Sequence, residues 1–232
     1  MPVAFDAAAS GNGNDVTTFS WSHTSTGANR VGVVGIAVRD DAADVTGVTW
    51  GGASMTFVRL DVIAAVVRLE TWIIVAPATG AQTVEATMSV AADAAGGSMS
   101  FTGAAQAGQP TNNAGGTGVS TGPTATVTSA VDRMVAGFVM GERLNTDVQI
   151  APGADQTQRF SQSGPTANRP RLEGTTEAGA ASVVTSWTFT NSDDWAVAAI
   201  DIDTAAGAGT EQFMVAAREL TSGGGMIGRD YI

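Results

Sequence analysis

The chain offers few residues able to do chemistry, and their spacing narrows the possibilities further. It has a single histidine, His23, and no cysteine. Thiol chemistry is therefore excluded, and zinc is left almost without ligands. A serine–histidine–acid set would have to use His23, yet no G-x-S-x-G elbow accompanies it. His23 ends the stretch Val16–Thr24, on the same parity as Phe19 and Trp21, and reads as a partly exposed or hydrogen-bonded histidine at a strand end.

Carboxylates are the other source of chemistry, since glycosidases work with two acids across a groove. Glu70 and Glu85 fall on two adjacent predicted strands and can face each other, and Glu173 and Glu177 share a parity on another. No aromatic-flanked acidic cluster surrounds either pair, so both also fit a solvated sheet face. Asp40, Asp41 and Asp44 cluster in one loop and Asp193 and Asp194 in a second. Such oxygen-rich loops can hold calcium, although neither has the EF-hand spacing. Of the five tryptophans, Trp50 stands beside Gly51-Gly52 at a hairpin tip and is the candidate to stack on a sugar ring. Gly11-x-Gly13 opens no helix, so it gives no phosphate cradle. No catalytic, cofactor or metal site is expected, and no enzyme.

These residues sit on strands. From Asp61 to Val90 the chain reads as a long buried strand, a Pro77–Gly80 turn and a second strand. Val66, Val67, Trp72, Ile73, Ile74 and Val75 favour strand. Pro77 cannot donate to a ladder and Gly80 tolerates φ > 0. After the turn, Val84, Ala86, Met88 and Val90 alternate with Thr83, Glu85, Thr87 and Ser89. Further strands are predicted at 16–24, 31–39, 45–50, 54–60, 98–106, 133–141, 146–150, 157–162, 171–177, 182–190 and 194–204. Residues 1–15 are small and polar, with a turn or loop cluster at Gly11–Asp15, and residues 91–97 read as a small-residue loop. Residues 107–124 read as a long surface loop with room for a short edge strand. A dozen short strands at roughly ten-residue spacing, with no helix between them, predict an all-β fold. The expectation is an antiparallel β-sandwich of jelly-roll type over residues 1–204. Residues 205–232 then form a linker, a short helix capped by Thr210, and an extended C-terminal arm. That helix is too short to stand alone and must dock on something.

Composition bounds the partners. Net charge is −11 and all 11 basic residues are arginine. An acidic surface repels phosphate backbones, so no nucleic acid is expected. No apolar run approaches a membrane span, and the first residues carry no basic n-region, so no membrane and no secretion signal are expected. Charged residues make up only 14% of a chain with 29 glycines. That is below the ~25% usual in soluble domains and suits a surface partly covered by other subunits, or a turn-rich β protein.

Several short motifs resemble a β-sandwich module of tailed-bacteriophage virion proteins. They are His23-Thr24 with Gly27-Ala28-Asn29-Arg30 before VGVVGIAV, then Val48-Thr49-Trp50-Gly51-Gly52-Ala53-Ser54-Met55-Thr56. Trp72 follows with Ala76-Pro77-x-x-Gly80 and Thr83-Val84, and Ser186-Trp187 and Trp195-Ala196 match the closing strands. The resemblance spans roughly residues 16–203 and implies a structural or adhesive role. The resulting expectation is a capsid decoration (cement) protein, assembled in the host cytoplasm onto the exterior of the virion. Its partners would be the major capsid protein and copies of itself, as a homotrimer. Phe213, Met214, Leu220, Met226, Ile227, Tyr231 and Ile232 would make the contacts. The alternative is a glycan-binding, lectin-like or tail-fibre adhesion module.

Overall fold

The computed structural model describes residues 1–142, 150–166 and 169–205. These form fifteen strands and, among the described residues, no helix. In chain order they are β1 (Ala4–Ser25), β2 (Val31–Arg39), β3 (Val45–Trp50), β4 (Ala53–Ser54), β5 (Thr56–Ile63), β6 (Val67–Val75), β7 (Gly80–Thr102) and β8 (Asn113–Ser120). There follow β9 (Thr124–Val127), β10 (Met134–Gly141), β11 (Ile150–Pro152), β12 (Thr157–Thr166), β13 (Arg169–Ala178), β14 (Val183–Phe189) and β15 (Asp193–Ile202). Every ladder is antiparallel.

The strands make three sheets. One has seven strands in the order β4-β3-β7-β2-β6-β5, with β1 on the other edge of β7. A second runs β12-β13-β10-β15-β8, and a third β11-β14-β9. The all-β, antiparallel expectation is met. The strand orders show three sheets rather than two, and they do not establish a jelly roll.

Three cores fill the fold, two of them between layers. Val33, Leu69, Met99 and Phe101 of the seven-stranded sheet meet Phe138, Met140, Leu172 and Ile200 of the five-stranded sheet. On the far side of the five-stranded sheet, Val135, Val139 and Val197 meet Val127, Val183, Trp187 and Phe189 of the small sheet. The third core lies within the seven-stranded sheet, which curls into a barrel-like shape. Val34, Ile36 and Val38 there pack with Phe19, Trp21, Val48, Trp50, Trp72 and Val84. Consecutive residues of β2 thus enter different cores, which is why this strand reads as an unbroken apolar run instead of an alternating one. β14, buried on one face, alternates cleanly as expected: Val183, Thr185, Trp187 and Phe189 are in and their neighbours are not.

The predicted central hairpin is corrected. The apolar segment breaks at 64–66, where Ala65 has φ 59°, so β5 and β6 are separate strands. β6 and β7 follow each other in sequence, but β2 lies between them in the sheet. β7 is also not two short strands. It runs unbroken through the predicted loop at 91–97 and pairs along its length with β1, which runs through the predicted loop at Gly11–Asp15. The edge strand expected within 107–124 is present as β8, on the rim of the five-stranded sheet. The Gly51-Gly52 turn is as expected: both glycines have positive φ (58° and 81°), and Trp50 pairs with Ala53 across it.

The expected short helix, the C-terminal arm and its seven contact residues fall beyond 205, outside the described residues. Most of the expected strand at 146–150 does too.

Candidate functional site

The ladder of β1 and β7 is a two-stranded ribbon doubled back on itself. In its register Ala9 opposes Ser98, whereas His23 opposes Gln82, far along the same ribbon. Yet the His23 ring bonds Ser98 and Ser100. The fold in the ribbon coincides with the register shifts between Gly13, Val16 and Thr18, beside Asp15 at φ 48°. The two halves then lie face to face. A Cβ on Gly11 would meet Trp21, and one on Gly96 would meet the rings of both Trp21 and Phe19. Small residues here let backbone approach ring.

A chain of hydrogen bonds clasps the halves together. Trp21 Nε1 donates to Ser98 Oγ at 2.8 Å. His23 Nδ1 lies 2.7 Å from Ser98 Oγ and Nε2 lies 3.0 Å from Ser100 Oγ. Ser100 Oγ donates to Asp6 Oδ2 at 2.8 Å, and Thr26 gives the same carboxylate its amide (2.8 Å) and its hydroxyl (2.5 Å). An ionised carboxylate only accepts, so the Ser100 hydrogen goes to Asp6. His23 Nε2 must then carry the proton, and Nδ1 accepts from Ser98. The imidazole is fully buried and packs on Trp50 at 4.4 Å between ring centroids. Burial pushes its pKa down to about 4, against the pull of Asp6 upward. Burial pushes Asp6 up, but the Thr26 and Ser100 hydrogen bonds outweigh it and hold the carboxyl below its usual range.

His23 is therefore hydrogen-bonded, as one expectation had it, but it is not exposed. Its proximity to serine and aspartate resembles a catalytic set in composition only. Ser98 is fully buried, and Ser100 stands between imidazole and carboxylate. No substrate can reach the hydroxyl in this arrangement.

The acids were expected on sheet faces or as pairs, and the structure separates them. Glu70 lies opposite Ile36 and Leu60, and Glu85 opposite Ser20 and Thr49, with β2 between their strands. Glu70 is buried; its Oε1 accepts from Arg68 Nε (2.7 Å) and from the Val45 amide (3.1 Å). Arg68 also bonds Asp41 at 2.8 Å and Asp44 at 2.7 Å. The loop weighed for calcium is thus occupied by a guanidinium. Among the described residues no group of three acidic or histidine side chains is placed to hold a metal. In the second loop, Asp193 Oδ1 accepts from the Asp194 amide at 2.9 Å. Glu173 is fully buried and accepts from Gln158 (2.8 Å), Ser161 (3.0 Å) and Arg171 (2.8 Å). Burial raises its pKa, opposed by those partners; Glu177 is raised by burial and by Asp155.

Trp50 is corrected as a sugar platform. It is 1% exposed, and its ring is covered by His23 and by Gly32, where a Cβ would touch it. The sequence reading missed Ser98, Ser100 and Asp6. The signal that could have found them is a lone histidine on the inward parity of a strand, needing partners on both nitrogens.

The surface also presents some large apolar side chains. Phe57 (48% exposed), Leu60 and Val62 stand out from β5, and Val119 (65%) from β8. Each of these strands ends the order of its sheet. Comparison with protein-family models, curated proteins and solved structures finds no match for this chain.

Proposed function

We propose that this chain is a structural, protein-binding β module that acts through subunit contacts, and specifically a bacteriophage virion protein of the capsid-decoration type. The observation that carries the non-catalytic part is the fate of the chemistry-bearing side chains. His23, Glu70, Glu173 and Asp201 are buried and internally bonded. Asp201, for example, takes Ser129 Oγ at 2.5 Å and Arg133 Nη1 at 2.7 Å. Groups spent on holding the fold are not displayed to a substrate.

The subunit-contact part draws on the edge strands with outward Phe57, Leu60, Val62 and Val119. Exposed apolar side chains on open sheet edges favour association over solvation. The virion assignment rests on the motif resemblance, with the jelly-roll connectivity and the homotrimer as its finer parts. In this reading the C-terminal Phe213, Met214, Leu220, Met226, Ile227, Tyr231 and Ile232 bury apolar area on the shell. Each square ångström removed from water is worth ~25 cal/mol, multiplied by avidity across an oligomer.

The test is binding of the full chain to assembled shells by co-sedimentation. The full chain carrying Phe213→Ser, Leu220→Ser and Ile232→Ser binds at least tenfold more weakly if the tail makes the contact. Undiminished binding by that variant removes the tail mechanism. Failure of the unaltered chain to bind, with saturable binding to a glycan instead, replaces the proposal with the adhesion alternative.

A further inference from the structure

We propose that His23 makes this fold acid-releasable: uptake of a proton on Nδ1 opens the doubled ribbon, parting the Phe19-to-Ser25 half of β1 from Ser98 and Ser100 while the five-stranded sheet stays paired.

The argument is geometric. The neutral imidazole is the piece that fits. Nδ1 accepts from Ser98 at 2.7 Å and Nε2 donates to Ser100 at 3.0 Å, so each nitrogen has one partner of the required polarity. A proton taken from solvent at Nδ1 turns an acceptor into a donor. Ser98 Oγ must then release its own hydrogen toward another acceptor. The one within reach is the Ala9 carbonyl at 3.3 Å, longer than the 2.7 Å over which it donates to the neutral Nδ1, while the Nδ1–Ser98 contact reverses its polarity. Ser98 also has to keep the Trp21 Nε1–H it already accepts at 2.8 Å. The whole relay shifts to a poorer arrangement around a charge.

That charge has little to balance it. On β1, Asp6 is held off by the intervening Ser100, which donates to it, and its remaining bonds come from Thr26. On β7 the facing groups are the hydroxyls of Ser98 and Ser100. On β3 the neighbour is the Trp50 ring, 4.4 Å away. Among the described residues, Asp6 is the charged group whose field acts on the imidazole. Burying an unpaired cation is costly, and separating the two ribbon halves rehydrates it. The second core provides the separating surface, since Phe19, Trp21 and Trp50 meet there. The strands β10 and β15 pack in the other two cores and hold no histidine.

The direction with pH is fixed. A histidine whose native pKa is about 4 rather than the ordinary 6.5 gives stability that is complete above 6.5 and is lost as pH falls toward 4. Over that window the unfolded chain binds more protons than the native one. Asp6, held below the ordinary aspartate range, acts only at lower pH, so the two effects separate. Glu173 and Glu177, both raised, work in the opposite sense and strengthen the fold as pH falls.

Because the chain has one histidine, a single imidazole resonance reports the event. The experiment follows that resonance in the full-length protein from pH 7 to pH 3.5. Urea unfolding and binding of a hydrophobic dye are measured at each pH, for the native chain and for His23→Gln. The expected result has three parts. The native imidazole stays neutral until near pH 4. Relative to His23→Gln, the native unfolding constant rises roughly 100-fold between pH 7 and pH 4, the size that a displacement from 6.5 to about 4 implies over that window. Dye binding appears in that range while amides of β10 and β15 remain protected, and His23→Gln lacks the pH 7-to-4 loss. An imidazole titrating near 6.5 in the folded protein overturns the proposal. So does an unchanged acid profile in His23→Gln, or loss of β10 and β15 protection together with the ribbon. If His23→Gln does not fold, the native resonance and the protection pattern decide alone.

Discussion

At the scale of single residues, polar side chains here act as internal joints. Ser98 is the clearest case, since it accepts from Trp21 and serves His23 at once. Ser98→Ala leaves a buried indole N–H and a buried imidazole nitrogen without partners. Each such orphan costs about 1–3 kcal/mol, so urea unfolding of this variant should show a loss on the order of 2–6 kcal/mol. A loss comparable to that of an exposed serine would contradict the relay. Arg68 is the second joint, holding Asp41, Asp44 and buried Glu70. Arg68→Met strands the Glu70 carboxylate and should cost about 3–5 kcal/mol, with part recovered in Arg68→Met/Glu70→Leu. Because the guanidinium already occupies that acidic loop, calcium or a chelator should leave the melting temperature of the native chain unchanged. The histidine was legible as an inward-facing residue, but its burial was not. The Trp50 ring that covers it comes from another strand, and no local pattern announces that.

At the scale of elements, the doubly buried strands were the legible ones. β2 and β10 carry runs that only a strand with both faces covered would tolerate, and β14 alternates as a one-sided strand should. The ribbon was illegible for a physical reason. Gly11, Gly13 and Gly96 have the composition of turns, yet they are small because Phe19 and Trp21 pack on them. The adjacency of Glu70 and Glu85 failed because sequence neighbours are assumed to pair, and β2 enters between β6 and β7. The same small-against-large device joins the layers. A Cβ on Gly97 of β7 or on Gly174 of β13 would land on the Phe160 ring. Gly97→Ala should therefore destabilise by about 1–3 kcal/mol in denaturant unfolding. Gly97→Ala/Phe160→Leu should lose less than the sum of the two single changes, because the residues are coupled through one contact. Strict additivity would mean that the layers do not meet there.

At the scale of the whole molecule, three sheets around three cores make a layered body with its most protected strands in the middle. Amide exchange should be slowest in β2, β10 and β15, which contribute to two cores each, and fastest on the edges β4, β5 and β8. A uniform exchange profile would contradict the layering. The chain is low in charged residues and carries apolar side chains on two of its edge strands, features on which the proposed subunit role draws. The reading as a shell-binding structural protein is tested most directly by quantitative mass spectrometry of purified virions. It predicts this chain in a fixed ratio to the major capsid subunit, unchanged by washing at moderate salt. Its absence from purified particles, or a trace amount that washing removes, would contradict that reading.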